Sequence, residues 1–146
     1  MKAIVQRVSH ASVLVNGEIV GSIGAGLVIL LGIRVDDSIA DARYLAQKCI
    51  NLRIFSDEQG KFNLSALDIH GDILVVSQFT VYSDTRKGRR PSFVEAAPPE
   101  ISEPLYEKFI EFVAASGLTV QSGRFAADML VKINNDGPVT LIVESK

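Results

Sequence analysis

A glycine-proline pair near the end of the chain constrains the fold more than any other feature. Gly137 and Pro138 lie in the segment 134–140, between two runs typical of β-strands. Glycine adopts backbone angles that other residues avoid, while proline removes a hydrogen-bond donor and allows a cis peptide bond at a cost of only about 0.5–1 kcal/mol. Such a pair can present bare carbonyl groups to a ligand at a fixed angle. A hairpin turn is the alternative interpretation, because Asn-Asp-Gly is a common turn composition.

Length and composition indicate an ordinary globular protein. A chain of 146 residues with 47% hydrophobic and 22% charged residues fits one domain, residues 1–146, with a substantial core. The formal net charge of −2 argues against general binding of polyanions, so any contact with nucleic acid must come from a local basic patch. No apolar run approaches the roughly 20 residues that span a bilayer, and no signal peptide is evident. We therefore expect a cytoplasmic protein without a membrane partner.

Hydrophobic periodicity predicts an α+β fold, with a mostly antiparallel, barrel-like sheet and two main helices. The predicted helices cover about 38–52 and 102–116, and the predicted strands cover 2–9, 12–15, 18–23, 27–33, 53–56, 73–82, 118–122, 128–134 and 138–144. A two-residue hairpin turn is expected at Asn16 and Gly17. Asp36 and Asp37 suit the N-terminus of the first helix, and Ser102 suits the start of the second. The strand 27–33 is apolar throughout and should be covered on both faces.

Several residue types that often carry catalysis are not arranged for it in this sequence. His10 and His70 each lie beside a predicted turn and have no spaced partner that would suggest a metal site or a triad. Cys49 falls on the apolar face of the first helix, where a buried side chain is expected rather than a nucleophile. Helix capping explains Asp36 and Asp37 more simply than metal binding does. We expect no metal and no other cofactor.

A basic loop, defined as residues 86–90, follows the strongest predicted strand. Four of its five residues are cations, namely Arg86, Lys87, Arg89 and Arg90. A solvated loop is one interpretation, since such charge runs are common. The other is contact with phosphate, because neutralising phosphates supplies most of the affinity for nucleic acid. Composition alone does not decide between the two.

The segment Ser77-Gln78-Phe79-Thr80 ends an apolar strand with three hydrogen-bonding side chains. One interpretation is a strand that becomes polar as it emerges from the core. The functional interpretation is a polar rim at the mouth of a pocket, with main-chain N–H groups available to an oxyanion. The residue types alone leave both interpretations open.

Together these segments resemble the D-aminoacyl-tRNA deacylase family, over essentially the whole chain. The motifs Ser-Gln-x-Thr and Gly-Pro-Val-Thr are together highly specific. The matching segments are Gln6-Arg7-Val8, Gly24-Ala25-Gly26-Leu27, residues 75–80, Arg90-Pro91-Ser92-Phe93, residues 119–129 and Asn135-Asp136-Gly137-Pro138-Val139-Thr140. The resemblance implies hydrolysis of the ester between a D-amino acid and the terminal adenosine of tRNA, with glycyl-tRNA as a further substrate.

The resemblance also implies a homodimer, in which the Gly-Pro motif of one subunit enters the active site of the other. The bond between Gly137 and Pro138 would be cis, and its carbonyl groups would exclude an L-amino acid. The implied catalytic residues are Gln78, Phe79 and Thr80, and the implied substrate-binding residues are Ser77, Arg7, Met129, Gly137 and Pro138. The implied tRNA contacts are the four cations of the basic loop.

The residues themselves favour catalysis without a side-chain nucleophile. Thr80 would need an adjacent base to act as one, and the motif contains no histidine, lysine or carboxylate. A neighbouring ribose hydroxyl of the substrate can instead orient or activate water, while N–H groups near Phe79 and Thr80 stabilise the oxyanion. Two other classes of protein are also compatible with the sequence: a small RNA-binding module without catalysis, and a structural protein that assembles through its β edges.

Overall fold

The strand Lys2–Val15 (β1) organises the sheet, because it pairs with three other strands. The structure is a computed structural model, and it describes all residues, 1–146. It runs antiparallel to Glu18–Ile23 (β2) along its second half and to Gly26–Gly32 (β3) along its first half. On its other side it pairs along most of its length with the last strand, Leu130–Glu144 (β8). The remaining elements, in chain order, are α1 (Ile39–Ile50), β4 (Phe55–Ser56), β5 (Phe62–Leu64), β6 (Asp72–Ser77), a 3-10 helix (Phe79–Tyr82), α2 (Pro99–Ala114) and β7 (Val120–Ser122).

The main sheet is mixed and almost closes on itself. Its strands lie in the order β2-β1-β3-β6-β7, with β8 also on β1. The pairs formed by β1 are antiparallel, whereas β6 runs parallel to both β3 and β7. The two ends of this order approach each other, since a Cβ placed on Gly21 of β2 would lie 2.9 Å from the carbonyl oxygen of Ser122 in β7. The prediction of a compact α+β unit with a barrel-like sheet and two helices is confirmed.

Core side chains form two clusters on opposite faces of the sheet. Successive residues of a strand point to opposite faces. Leu27 and Ile29 of β3 accordingly join one cluster together with Phe109 of α2, whereas Val28 and Leu74 belong to the other. The strand predicted at 27–33 is therefore covered on both faces, as expected. Neither helix is long and apolar enough to cross a membrane.

The first helix begins at a different cap from the one expected. Ser38 precedes the helix, and its N–H and hydroxyl donate to a carboxylate oxygen of Asp41 at 2.9 and 2.7 Å. Asp36 instead accepts two hydrogen bonds from the side chain of Arg34, and Asp37 accepts one from the N–H of Arg34. The capping role predicted for Asp36 and Asp37 is wrong, because both carboxylates bind the preceding turn of the chain.

The polar end of the strand predicted at 73–82 is not a strand. Strand β6 ends at Ser77, and the chain continues as the 3-10 helix Phe79–Tyr82. Gly32 permits this turn to pack closely against β3, because a Cβ at that position would lie 2.0 Å from a methyl group of Val81. The second helix likewise starts earlier than predicted, at Pro99 rather than Ser102, since proline suits the first helical position.

The boundaries of other elements also differ from the predicted ones. The predicted strands 2–9 and 12–15 form one strand, and so do 128–134 and 138–144. The short strand β5 was missed, and it pairs with β4 in a separate two-stranded sheet. The hairpin turn at Asn16 and Gly17 is confirmed, with φ angles of 51° and 81° that suit a type I′ turn.

Candidate active site

A cleft of about 630 Å³ lies beyond the end of β6, a size typical of sites for small ligands. Its wall is formed by the ends of β3 and β6, the 3-10 helix, the segment 93–97, the start of α2 and the segment 125–131. Most of the wall is apolar, and its polar side chains are Ser77, Gln78, Thr80, Ser102 and Asp128. The structure thus brings together the predicted residues Ser77, Gln78, Phe79, Thr80 and Met129 at one site.

Gln78 and Thr80 form the central polar contact of the cleft. Nε2 of Gln78 donates to Oγ1 of Thr80 at 2.7 Å, and the N–H of Gln78 is bound by the carbonyl oxygen of Leu31 at 2.8 Å. The first N–H groups of a helix have no partner within it. Those of Phe79 and Thr80, at the start of the 3-10 helix, can therefore receive a negatively charged oxygen.

No ionisable side chain is hydrogen-bonded to Thr80, whose only side-chain partner is Gln78. Asp128 is the only ionisable residue among its lining residues. Both histidines are exposed and lie outside the cleft. Cys49 is buried, as expected, and burial raises the pKa of its thiol to about 12. No three His, Cys, Asp or Glu residues are grouped to hold a metal ion. The arrangement can bind and orient an ester, and it offers donors for an oxyanion.

Two aromatic rings stand at the mouth of the cleft. Phe79 and Phe93 meet edge to face with ring centroids 5.0 Å apart, and they are 56% and 37% exposed. An exposed aromatic face can stack on a nucleic-acid base. Phe93 was missing from the predicted site, although it belongs to one of the segments that carry the family resemblance.

The basic loop is connected directly to this aromatic rim. Asp84 and Ser92 exchange two backbone hydrogen bonds of 2.8 and 2.9 Å, which close the loop one residue before Phe93. All four cations are exposed. Arg86 is bound through two nitrogens by Asp84, and this hydrogen bonding lowers the pKa of Asp84 to about 2. Lys87, Arg89 and Arg90 form no ion pair within the chain, so their charges are available to a ligand.

Gly137 and Pro138 protrude from β8 in a wide bulge. Gln6 of β1 pairs with Thr140 and Val8 pairs with Asn135, so residues 136–139 lie opposite the single residue Arg7. We call residues 136–139 the Gly-Pro bulge. The peptide bond between Gly137 and Pro138 is cis, and both residues are exposed. A hairpin turn is therefore the wrong interpretation, because the strand continues past the bulge. Neither residue lines the cleft of its own chain.

Side chains on both sides of the Gly-Pro bulge fix its shape. Asn135 donates from Nδ2 to the hydroxyl of Thr140 at 2.9 Å and accepts from the N–H of Val139 at 3.1 Å. From β1, Arg7 donates from Nε to the carbonyl oxygen of Asp136 at 3.0 Å. Arg7 does not line the cleft of its own chain either. Its place is beneath the bulge, where it orients the backbone just before Gly137.

The cleft also includes residues that sequence reasoning did not select. Besides Phe93 they include Ser102, Phe125 and Asp128, and Ala126, whose φ of 57° is rare for a residue other than glycine. Phe125, Ala126 and Asp128 lie in the segment 119–129 of the family resemblance, which was the available signal. Ser102 carried no such signal, because it suited a helix start equally well.

Known proteins resemble this chain over nearly its whole length. A model of the family described as D-Tyr-tRNA(Tyr) deacylase matches residues 4–144. The chain belongs to this family. The match confirms the family inferred from the sequence motifs, and with it the prediction of an enzyme.

Among the similar curated proteins is a D-aminoacyl-tRNA deacylase from Fervidobacterium nodosum, 58% identical over 146 residues, which cover all of this chain and 98% of the relative. Another, from a Roseiflexus species, is 61% identical over 145 residues, covering 99% of this chain and 94% of the relative. A solved structure titled c-Myc DNA Unwinding Element Binding Protein has a TM-score of 0.94 at 43% identity and covers 100% of this chain and 99% of its own. One titled as a probable eukaryotic D-amino acid tRNA deacylase has a TM-score of 0.85 at 20% identity, covers 98% of each chain and shows the shared fold.

Proposed function

We propose that this protein hydrolyses the ester bond of D-aminoacyl-tRNA, releases the free D-amino acid and tRNA, and spares L-aminoacyl-tRNA. The observation that carries the proposal is that this member of the family has both a cleft with hydrogen-bond donors and an exposed Gly-Pro bulge. An enzyme that removes many different D-amino acids from tRNA cannot recognise its substrate by contacts with one particular side chain. Main-chain groups placed around the α-carbon suit that task, and the bulge offers them.

The chemistry we propose uses the substrate's own hydroxyl. Gln78 donates to Oγ1 of Thr80, so the hydrogen of the threonine hydroxyl is left to be donated to a ligand. An amide cannot accept a proton from threonine as a general base would. Thr80 therefore positions the ester, and the ribose hydroxyl beside the ester orients or activates the attacking water. The N–H groups of Phe79 and Thr80 stabilise the charge that develops on the carbonyl oxygen.

Selection against L-amino acids, in this proposal, comes from a second copy of the chain. Gly137 and Pro138 are exposed and lie outside the cleft of their own chain, so they are free to enter the cleft of a partner. A two-fold symmetric homodimer would exchange two such bulges between identical surfaces. Their carbonyl oxygens would collide with the side chain of an L-amino acid, which is discrimination by repulsion. Glycine has no side chain to exclude, so glycyl-tRNA would also be a substrate.

The basic loop supplies the proposed contact with tRNA. It leads into the aromatic rim at the cleft mouth, so phosphates near the aminoacylated end would pass close to its cations. Such contacts carry affinity without reading sequence. We place the activity in the cytoplasm, where charged tRNA is used.

The deciding experiment compares D-tyrosyl-tRNA with L-tyrosyl-tRNA and follows the release of free tyrosine by the purified protein. We expect turnover of the D form alone. Equal cleavage of both forms would contradict the selection mechanism. Tight binding of charged tRNA with no turnover would favour the RNA-binding module instead.

A further inference from the structure

The small sheet of β4 and β5 contacts the side chain that supports the Gly-Pro bulge. The carbonyl oxygen of Ile54, just before β4, accepts from Nη1 of Arg7 at 2.7 Å. The ring of Phe62, the first residue of β5, lies with its centroid 5.2 Å from Cζ of the same guanidinium. Phe62 is 55% exposed, so burial in the core does not account for this placement.

These contacts engage the guanidinium of Arg7 on several sides. Nε binds the carbonyl oxygen of Asp136, and Nη1 binds that of Ile54. Nη2 lies against Gly137, where an added Cβ would stand 2.9 Å from it. A guanidinium is planar and its donors have fixed directions. The ring of Phe62 against the guanidinium of Arg7 restricts the tilt of the guanidinium. Because Nε of Arg7 binds the carbonyl oxygen of Asp136, the ring also restricts the direction of that carbonyl group.

The base of this small sheet is anchored independently of Phe62. Ile54 and Phe55 are buried in the core cluster that includes both helices. Arg53, which precedes β4, donates from Nε to the carbonyl oxygen of Asn63 in β5 at 2.8 Å. Phe62 itself belongs to neither core cluster. Its replacement should therefore change the support of Arg7 without unfolding the protein.

We propose that Phe62 is a positioning residue for stereochemical selection, acting through Arg7 on the Gly-Pro bulge. This inference rests on the proposed function, in which that bulge excludes L-amino acids. A cation–π contact at an exposed site corresponds to a change of about two- to fivefold in an equilibrium or rate ratio. Loss of the ring should therefore lower the ratio of D- to L-tyrosyl-tRNA cleavage by about that factor, mainly through faster cleavage of the L form.

The test measures this ratio for Phe62→Leu, which removes the ring, and for Phe62→Tyr, which keeps it. Phe112→Leu is the matched control, since Phe112 lies 4.4 Å from Cζ of Arg43 in a second contact of the same kind, between the two helices. The same substitution at Phe62 is then repeated in an Arg7→Gln background. Thermal melting reports whether each variant is folded, and Phe62→Met takes the place of Phe62→Leu if the latter melts early.

We expect a lower ratio for Phe62→Leu, the wild-type ratio for Phe62→Tyr and for the control, and no further effect of Phe62→Leu once Arg7 is replaced. An unchanged ratio in Phe62→Leu, or an equal drop in both backgrounds, would overturn the inference. Gly137→Ala in the same assay separates the role of Phe62 from selection by the Gly-Pro bulge. If it changes the ratio while Phe62→Leu does not, only the role of Phe62 fails. If neither changes it, selection by the bulge fails as well.

Discussion

Nε2 of Gln78 lies 2.7 Å from Oγ1 of Thr80 and donates a hydrogen bond to it. This contact determines what Thr80 can do, because its oxygen is occupied as an acceptor by a group that cannot remove its proton. The one ionisable residue of the cleft lining, Asp128, forms no hydrogen bond with Thr80 that could take up the proton. The arrangement fits a threonine that positions the substrate.

Replacing Thr80 by valine should slow D-tyrosyl-tRNA cleavage by about 5- to 150-fold, the effect of losing one well-placed hydrogen bond of about 1–3 kcal/mol. Single-turnover kinetics measure the loss. Thr80→Ser, which keeps the hydroxyl, should stay near wild type. A loss like that of removing an obligatory nucleophile, together with an acyl-enzyme trapped from wild type, would show that Thr80 reacts covalently.

A substrate that ends in 2′-deoxyadenosine should be cleaved far more slowly, because it lacks the hydroxyl that we propose assists the water. We expect a drop of about 10²-fold or more, the lower end of the range for a general acid-base contribution. Binding of the same tRNA, measured separately, should be nearly unchanged. Full activity on the deoxy substrate would rule out assistance by the ribose.

Gly137→Ala should lower both D turnover and the D to L ratio. Gly137 has a φ of 127°, and an added Cβ would stand 2.8 Å from a methyl group of Val139 and 2.9 Å from Nη2 of Arg7. The added methyl group is strained at this φ, and it must shift Val139, the supporting side chain of Arg7 or the Gly-Pro bulge itself. The measurement is the initial rate with each isomer of tyrosyl-tRNA.

The same variant tests whether the bulge acts on the other subunit. Each site of the proposed homodimer combines the cleft of one chain with the bulge of its partner. Co-expression of Thr80→Val with Gly137→Ala should therefore restore one intact site in every mixed dimer, about a quarter of all sites on random pairing. That recovered activity should show the wild-type D to L ratio. Rates that merely average the two variants would indicate that each site is built from one chain.

Replacing Lys87, Arg89 and Arg90 by glutamine should weaken tRNA binding and reduce the slope of log K against log salt by about 2–3, roughly one per lost phosphate contact. Arg86→Gln alone is the matched control. It should have a smaller effect, because Asp84 already binds that guanidinium through two nitrogens. An unchanged salt dependence in the triple variant would exclude the basic loop as the contact with tRNA.

Asp41→Asn should lower the free energy of unfolding by about 0.5–2 kcal/mol at neutral pH, the usual range for loss of a helix cap. Burial alone would raise the pKa of Asp41, but hydrogen bonds from Ser38 outweigh it and hold the pKa below its ordinary value. A carboxyl group whose pKa is lower in the folded state stabilises the fold above its unfolded pKa and loses that effect as the pH falls. The difference from wild type, followed by urea unfolding, should therefore shrink below about pH 4.

Local sequence patterns determined much of this fold. The turn at Asn16 and Gly17, the apolar face of α1 and the two-faced burial of β3 follow from backbone preferences and side-chain periods that a short window contains. The motif at 77–80 and the Gly-Pro pair also identified the family, because those residue types at those positions are specific. The exclusion of Cys49 as a nucleophile needed only its place on the apolar face of a helix.

Only the tertiary structure decided how distant segments meet. The bulge exists because β8 pairs with β1 on both sides of Arg7 in different registers, and no local pattern in residues 134–140 contains that register. The contacts of Arg7 with Asp136, Ile54 and Phe62 join three parts of the chain. Phe93 and Asp128 likewise reach the cleft from parts of the chain that are distant in sequence from residues 77–80. Backbone propensity acts over a few residues, whereas strand register and cleft lining depend on long-range pairing, which a single sequence does not display.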